Sequence, residues 1–158
     1  MERREMYAQK IAVTVYNGVQ RLIGFVALPP GKRLSDLLNG TVGGQAESGD
    51  TFLELTDVTI WQEGGTKEKQ ENVYINKANI ELLATTDNDL SRGSGAKSGL
   101  KSYPFVQKSP VRARIRVSSY KLTGNLHKTQ GHTVQQLLEE KLTFLPLTDA
   151  KILSLIHI

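Results

Sequence analysis

The chain has 158 residues, of which 39% are hydrophobic and 23% charged, a composition typical of folded chains rather than disordered ones. It contains no cysteine, which excludes disulfides, thiolate zinc sites, iron–sulfur clusters and cysteine nucleophiles. The formal charge of +4 is uneven: residues 1–90 carry 9 Lys/Arg against 13 Asp/Glu, and residues 91–158 carry 11 against 3. Such asymmetry hints at contact with a polyanion. No apolar run approaches the roughly 20 residues of a membrane span. The charged start Met1-Glu2-Arg3-Arg4-Glu5 leads into no apolar signal core, so a cytoplasmic protein without membrane contact is expected.

Ile11–Tyr16 alternates apolar and polar residues, as a half-buried strand does, and Asn17-Gly18 marks a hairpin into a second strand, Arg21–Leu28. Gly24 inside that strand predicts a bend or bulge. Pro29-Pro30-Gly31-Lys32-Arg33 lacks the Walker spacing, and its prolines remove amides a phosphate would need, so it reads as a turn. Leu34, Leu37 and Leu38 then form the stripe of a short helix. Gly40–Asp50 is a Gly-rich loop, Phe52–Ile60 returns to strand, and Val73–Ile75 with Ile80–Leu83 supplies a closing pair. Asp87–Pro104, rich in Ser, Gly and Lys, reads as a flexible linker.

The same order then recurs. Shifting the sequence by 100 positions aligns Leu22, Gly24, Gly31 and Leu37-Leu38 with Leu122, Gly124, Gly131 and Leu137-Leu138. Shifting it by 92 aligns Phe52-Leu53-Glu54-Leu55-Thr56-Asp57 with Phe144-Leu145-Pro146-Leu147-Thr148-Asp149. The expected fold is mainly β (α+β). Two tandem small β-barrel-like units, 6–86 and 105–152, are joined by the linker 87–104, each with a short helix between its second and third strands. Val111–Val117 and Lys121–Lys128 are the first two strands of the second unit, and Thr133 with Gln136 predicts a capping box before its helix. Units of about 80 residues bury only about 60% of their unfolded-chain surface, so packing of copy on copy, or dimerisation, is expected.

The second unit ends before its closing pair. Leu153-Ser154-Leu155-Ile156-His157-Ile158 is what CTG-TCT-CTT-ATA-CAC-ATC encodes, a string that resembles a transposon-end sequencing adapter. Residues 153–158 are therefore expected to be a read-through artefact of a longer natural chain. A genuine apolar terminal strand is the competing reading.

Three sets of residues bear on function. Val111-Arg112-Ala113-Arg114-Ile115-Arg116-Val117 puts Arg112, Arg114 and Arg116 on one strand face, with Lys121 and Lys128 on the neighbouring strand and Lys97, Lys101 and Lys108 before it. Guanidinium groups about 7 Å apart can follow a phosphate backbone. The plainer reading is an edge strand kept soluble by charge. Asp57 and Asp149 recur in Leu-Thr-Asp; as a hydrolytic pair they would have to lie within about 10 Å, and as structural residues they would bind backbone at a turn. His127 and His132 sit across a turn with no carboxylate at metal-site spacing, so neither metal nor cofactor is expected.

Arg33-Leu34-Ser35-Asp36-Leu37-Leu38-Asn39 with Phe52-Leu53-Glu54-Leu55-Thr56-Asp57 resembles a bacterial family of unknown function, over most of the first copy. That resemblance implies no activity, cofactor or catalytic residue. The strand order, with Val73-Tyr74-Ile75-Asn76-Lys77-Ala78-Asn79-Ile80, is similar to the second motif of Sm-like small barrels, which bind RNA through loops of a ring. Here Asn76-Lys77 stands where that family has Arg-Gly, and a helix replaces a loop. The reading is a non-enzymatic interaction or regulatory module, its partner an unidentified protein or a second copy. The alternative is a nucleic-acid-binding protein using Arg112, Arg114, Arg116, Lys121 and Lys128.

Overall fold

The computed structural model describes residues 9–40, 51–86, 107–140 and 143–155. Over these residues it is mainly β, with two antiparallel sheets and two short α-helices. Contacts divide the chain into two compact units, Met1–Leu100 and Lys101–Ile158. The expected linker 87–104 lies outside the described residues. Among those residues no helix is long and apolar enough to cross a membrane.

In the first unit β1 (Gln9–Tyr16) and β2 (Gln20–Leu28) form the hairpin that Asn17-Gly18 predicts. Gly18 takes φ +96°, and the Asn17 side chain accepts the Gln20 amide at 3.0 Å. Helix α1 (Leu34–Asn39) follows, then β3 (Phe52–Gln62), β4 (Lys67–Asn76), a 3-10 turn (Lys77–Asn79) and β5 (Leu82–Ala84). The sheet order is β4-β3-β2-β1-β5. The curl into a barrel is not closed by hydrogen bonds. β5 is only three residues long and pairs with β1, and no pairing joins it to β4 among the described residues.

Alternation places Ile11, Val13 and Val15, then Leu22, Val26 and Leu28, then Leu53, Leu55 and Val58 on the inner face, where Leu34 and Leu38 of α1 are also buried. Full burial of each such side chain contributes about 1.5–3 kcal/mol. α1 is too short to be stable alone, and its start is fixed by Arg33 and Asp36. The Arg33 amide donates to Asp36 Oδ2 at 3.0 Å, and its guanidinium pairs with both carboxylate oxygens at 3.2 and 3.0 Å. Partial burial pushes the Asp36 carboxyl up. The hydrogen bonds and charge of Arg33 outweigh it and hold the group below the usual carboxylate range.

The second unit contains β6 (Lys108–Val117), β7 (Tyr120–Thr129), helix α2 (Val134–Leu138) and β8 (Thr148–Leu155), with sheet order β6-β7-β8. The predicted capping box is present at α2: Gln136 N donates to Thr133 Oγ1 at 3.2 Å, and Thr133 N donates to Gln136 Oε1 at 2.7 Å. Its core is smaller, with Tyr120, Leu122, Leu126 and Leu137 buried. Val111, Ala113, Ile115 and Val117 are only half-buried, unlike Ile11, Val13 and Val15 of β1. The physical difference is coverage: β1 is flanked by β5, whereas β6 pairs with β7 alone among the described residues.

Pairing in the two sheets follows the same offsets. Leu22, Ile23 and Phe25 oppose Ile60, Thr59 and Thr56, while Leu122, Thr123 and Asn125 oppose Ile152, Lys151 and Thr148. The parallel ends at Ile152. Arg21 opposes Trp61 in continuous register, but Lys121 opposes Ser154, which leaves Leu153 outside the ladder and 53% exposed.

Candidate nucleic-acid interface

The register of β6 against β7 decides which cations share a face. The tight turn at Ser118-Ser119, with Ser118 at φ +53°, pairs Val117 with Tyr120. Arg112, Arg114 and Arg116 then oppose Asn125, Thr123 and Lys121. Paired residues lie on one side of a sheet, and Tyr120, Leu122 and Leu126 are buried on the other. Lys108 shares the outer face through its pairing with Thr129, and Lys151 does so through Thr123.

Six cations (Lys108, Arg112, Arg114, Arg116, Lys121 and Lys151) are thus exposed on one face. One carboxylate, Asp149, adjoins this face, and its Oδ2 accepts Asn125 Nδ2 at 3.3 Å rather than pairing with a cation. Lys108, Arg114, Arg116, Lys121 and Lys151 make no ion pair or side-chain hydrogen bond among the described residues. Two such charges about 7 Å apart in water repel by about 0.6 kcal/mol. That cost is small enough for the fold to carry and is relieved when an anion arrives.

Arg112 differs from its neighbours. Its guanidinium donates to the Asp149 carbonyl at 3.0 Å, to Thr123 Oγ1 at 3.1 Å and to Asn125 Oδ1 at 3.5 Å. The carbonyl it holds belongs to a β-bulge. The register slips between Thr123 and Asn125, so two residues of β8, Asp149 and Ala150, face Gly124 alone. The first unit repeats this geometry: Asp57 and Val58 face Gly24 where the register slips between Ile23 and Phe25. Asp57 and Asp149 take φ +50° and +48°, the left-handed region that Asp tolerates better than most residues. The recurring Leu-Thr-Asp therefore supplies the bulge residue of each sheet.

This placement gives a signed expectation. Asp57→Gly should leave first-unit stability within about 0.5 kcal/mol, because glycine adopts positive φ freely. Asp57→Val should cost about 1–2 kcal/mol, because its branched Cβ crowds the backbone at positive φ and it lacks the short polar side chain that lets Asp tolerate it. Denaturant unfolding of both variants checks the order, and a glycine variant as damaged as the valine variant would refute the conformational role.

Lys128 does not belong with the other four residues of the predicted site. It opposes Ser109, which puts it on the apolar side of the sheet, where its ammonium donates to the His132 carbonyl at 2.9 Å. Sequence proximity on β7 had grouped it with Lys121, but the two positions have opposite parity. Lys97 and Lys101 lie outside the described residues. His127 Nε2 lies 2.6 Å from Thr148 Oγ1, both on the outer face. Lys151 was missing from the sequence-based site because its face depends on the β7–β8 register. No family model, curated protein or solved structure matches the chain.

Proposed function

We propose that this chain is a non-enzymatic binding module whose second unit holds nucleic acid by the phosphate backbone. The observation that carries this reading is the outer face of β6-β7-β8, with six exposed cations and one carboxylate. Spacings of about 7 Å along a strand and about 5 Å across strands let successive guanidinium and ammonium groups meet successive phosphates. No Phe, Tyr or Trp side chain stands on that face among the described residues, and His127 there is engaged with Thr148 Oγ1, so contact is with backbone and is tolerant of sequence.

We also read the two units as copies of one small-barrel unit. The support is the shared element order and the identical pairings on either side of each bulge. The order β4-β3-β2-β1-β5 and the 3-10 turn within Val73–Ile80 accord with the resemblance to Sm-like barrels.

Fluorescence anisotropy with a labelled oligonucleotide tests the binding reading. Neutralising six phosphates gives a log–log salt slope of about −5 on duplex and about −4 on single strands, with Kd around micromolar. The variant Arg114→Ala/Arg116→Ala/Lys121→Ala should flatten that slope by about 2–3 units. Arg112 is left in place because it holds the β8 bulge. Binding that ignores salt, or that survives this variant unchanged, would overturn the assignment.

A further inference from the structure

The outer face of the first unit carries a different arrangement at one end. The strand registers align Leu82, Tyr16, Arg21, Trp61 and Lys67 in one row across all five strands. Aromatic and cationic side chains alternate along it. The Arg21 guanidinium lies 5.6 Å from the centroid of the Trp61 ring, and the Lys67 ammonium lies 4.9 Å from it. Lys69, opposite Thr59, adds a further cation in the next row. Glu68, between the two lysines, opposes Ile60 and falls on the other face. The indole Nε1 of Trp61 is buried and has no hydrogen-bond partner among the described residues. A buried donor left unpaired is rare and costly.

An aromatic ring set among cations suits a ligand that combines flat π-faces with negative charge. A nucleobase stacks on the open part of a half-buried indole more strongly than a solvated cation does, because the ammonium keeps most of its hydration energy in water. The displaced Lys67, together with Arg21 and Lys69, is then free to meet the adjoining phosphates. Duplex bases are stacked on one another and cannot reach the ring.

We infer that the row Tyr16–Arg21–Trp61–Lys67 is a stacking site for single-stranded nucleic acid, so that the polyanion bound by this chain is single-stranded rather than duplex. The inference rests on the reading of the basic face in the second unit, and it adds a second, independent contact. Trp61 takes a base, and Arg21, Lys67 and Lys69 take phosphates. The second unit's outer face carries no Phe, Tyr or Trp among the described residues, so this row supplies the preference.

Trp61 is the chain's one tryptophan, so its emission reports on this row directly. The full chain is titrated at low salt with oligothymidylate and oligouridylate of about 20 nucleotides, and with a duplex of the same length. Indole emission and the anisotropy of the labelled oligonucleotide are read together. Single strands should quench Trp61 along the same isotherm as the anisotropy, while duplex raises anisotropy with no quenching. Trp61→Leu should weaken single-strand binding roughly 10-fold and leave duplex binding unchanged. Lys67→Ala/Lys69→Ala keeps the indole and should shift the quenching isotherm to higher concentration.

Rising anisotropy at constant emission overturns this inference and leaves the basic face standing. Equal quenching by duplex overturns the single-strand preference. Flat anisotropy with every probe overturns both readings.

Discussion

Gly24→Val should lower first-unit stability by about 3 kcal/mol, which for a domain of this size moves the melting midpoint by more than about 10 °C. A Cβ at this position would meet the Thr56 carbonyl oxygen at 3.0 Å and Val58 Cγ2 at 3.1 Å. Both neighbours belong to the β3 bulge. One is backbone inside the ladder and the other is a fully buried side chain, so neither can retreat without breaking pairing or packing. The equivalent Gly124→Val supplies the contrast. A Cβ there would overlap the side chain of Leu147, more closely than at Gly24. Leu147 is half-buried in the segment before β8 and can rotate away, so the smaller loss is expected where the static overlap is worse. Calorimetry of the two variants tests this order. A larger loss at Gly124 would mean that the second sheet depends on Leu147 more than its exposure implies.

These glycines show how far the sequence could be read and where reading stopped. Their recurrence at a fixed offset, inside strands and followed later by Leu-Thr-Asp, was visible as a pattern. That the pattern encodes one bulge packed against one glycine emerges only from the pairing of β2 with β3 and β7 with β8. Alternation found β1, β2, β6 and β7, because each presents one face to a core. It missed the first half of β4, where Lys67-Glu68-Lys69-Gln70-Glu71-Asn72 is exposed throughout and has no period to detect. The basic face was half legible. Arg112, Arg114 and Arg116 announce themselves on one strand, and fixing the Ser118-Ser119 turn would have separated Lys121 from Lys128. Lys151 and the row through Trp61 join residues distant in sequence, and only a strand register can assemble them.

Lys77 is the plainest case of a residue that composition and motif undervalue, and replacing it carries the other large expected effect. It stands in the 3-10 turn after β4 and is only 8% exposed, the one buried charged residue among those described. Its ammonium donates to the Leu37 carbonyl at 2.7 Å, near the C-terminus of α1. Carbonyls in the last turn of a helix have no partner within it, and they sit at the negative end of its dipole. The turn that delivers the ammonium is itself fixed, since Lys77 N donates to the Thr51 carbonyl at 2.9 Å and Asn76 Oδ1 accepts Ala78 N at 3.0 Å. Lys77→Met keeps the aliphatic stem and deletes the charge, so the expected loss is about 2–3 kcal/mol, the value of a charged hydrogen bond plus an abandoned carbonyl. Hydrogen exchange of the Leu37 and Leu38 amides should accelerate by a similar free energy, because a helix of six residues stays formed only while both ends are held. A methionine variant within about 0.5 kcal/mol of the parent would show that burial of Leu34 and Leu38 suffices to dock α1 and that the lysine is a passenger there.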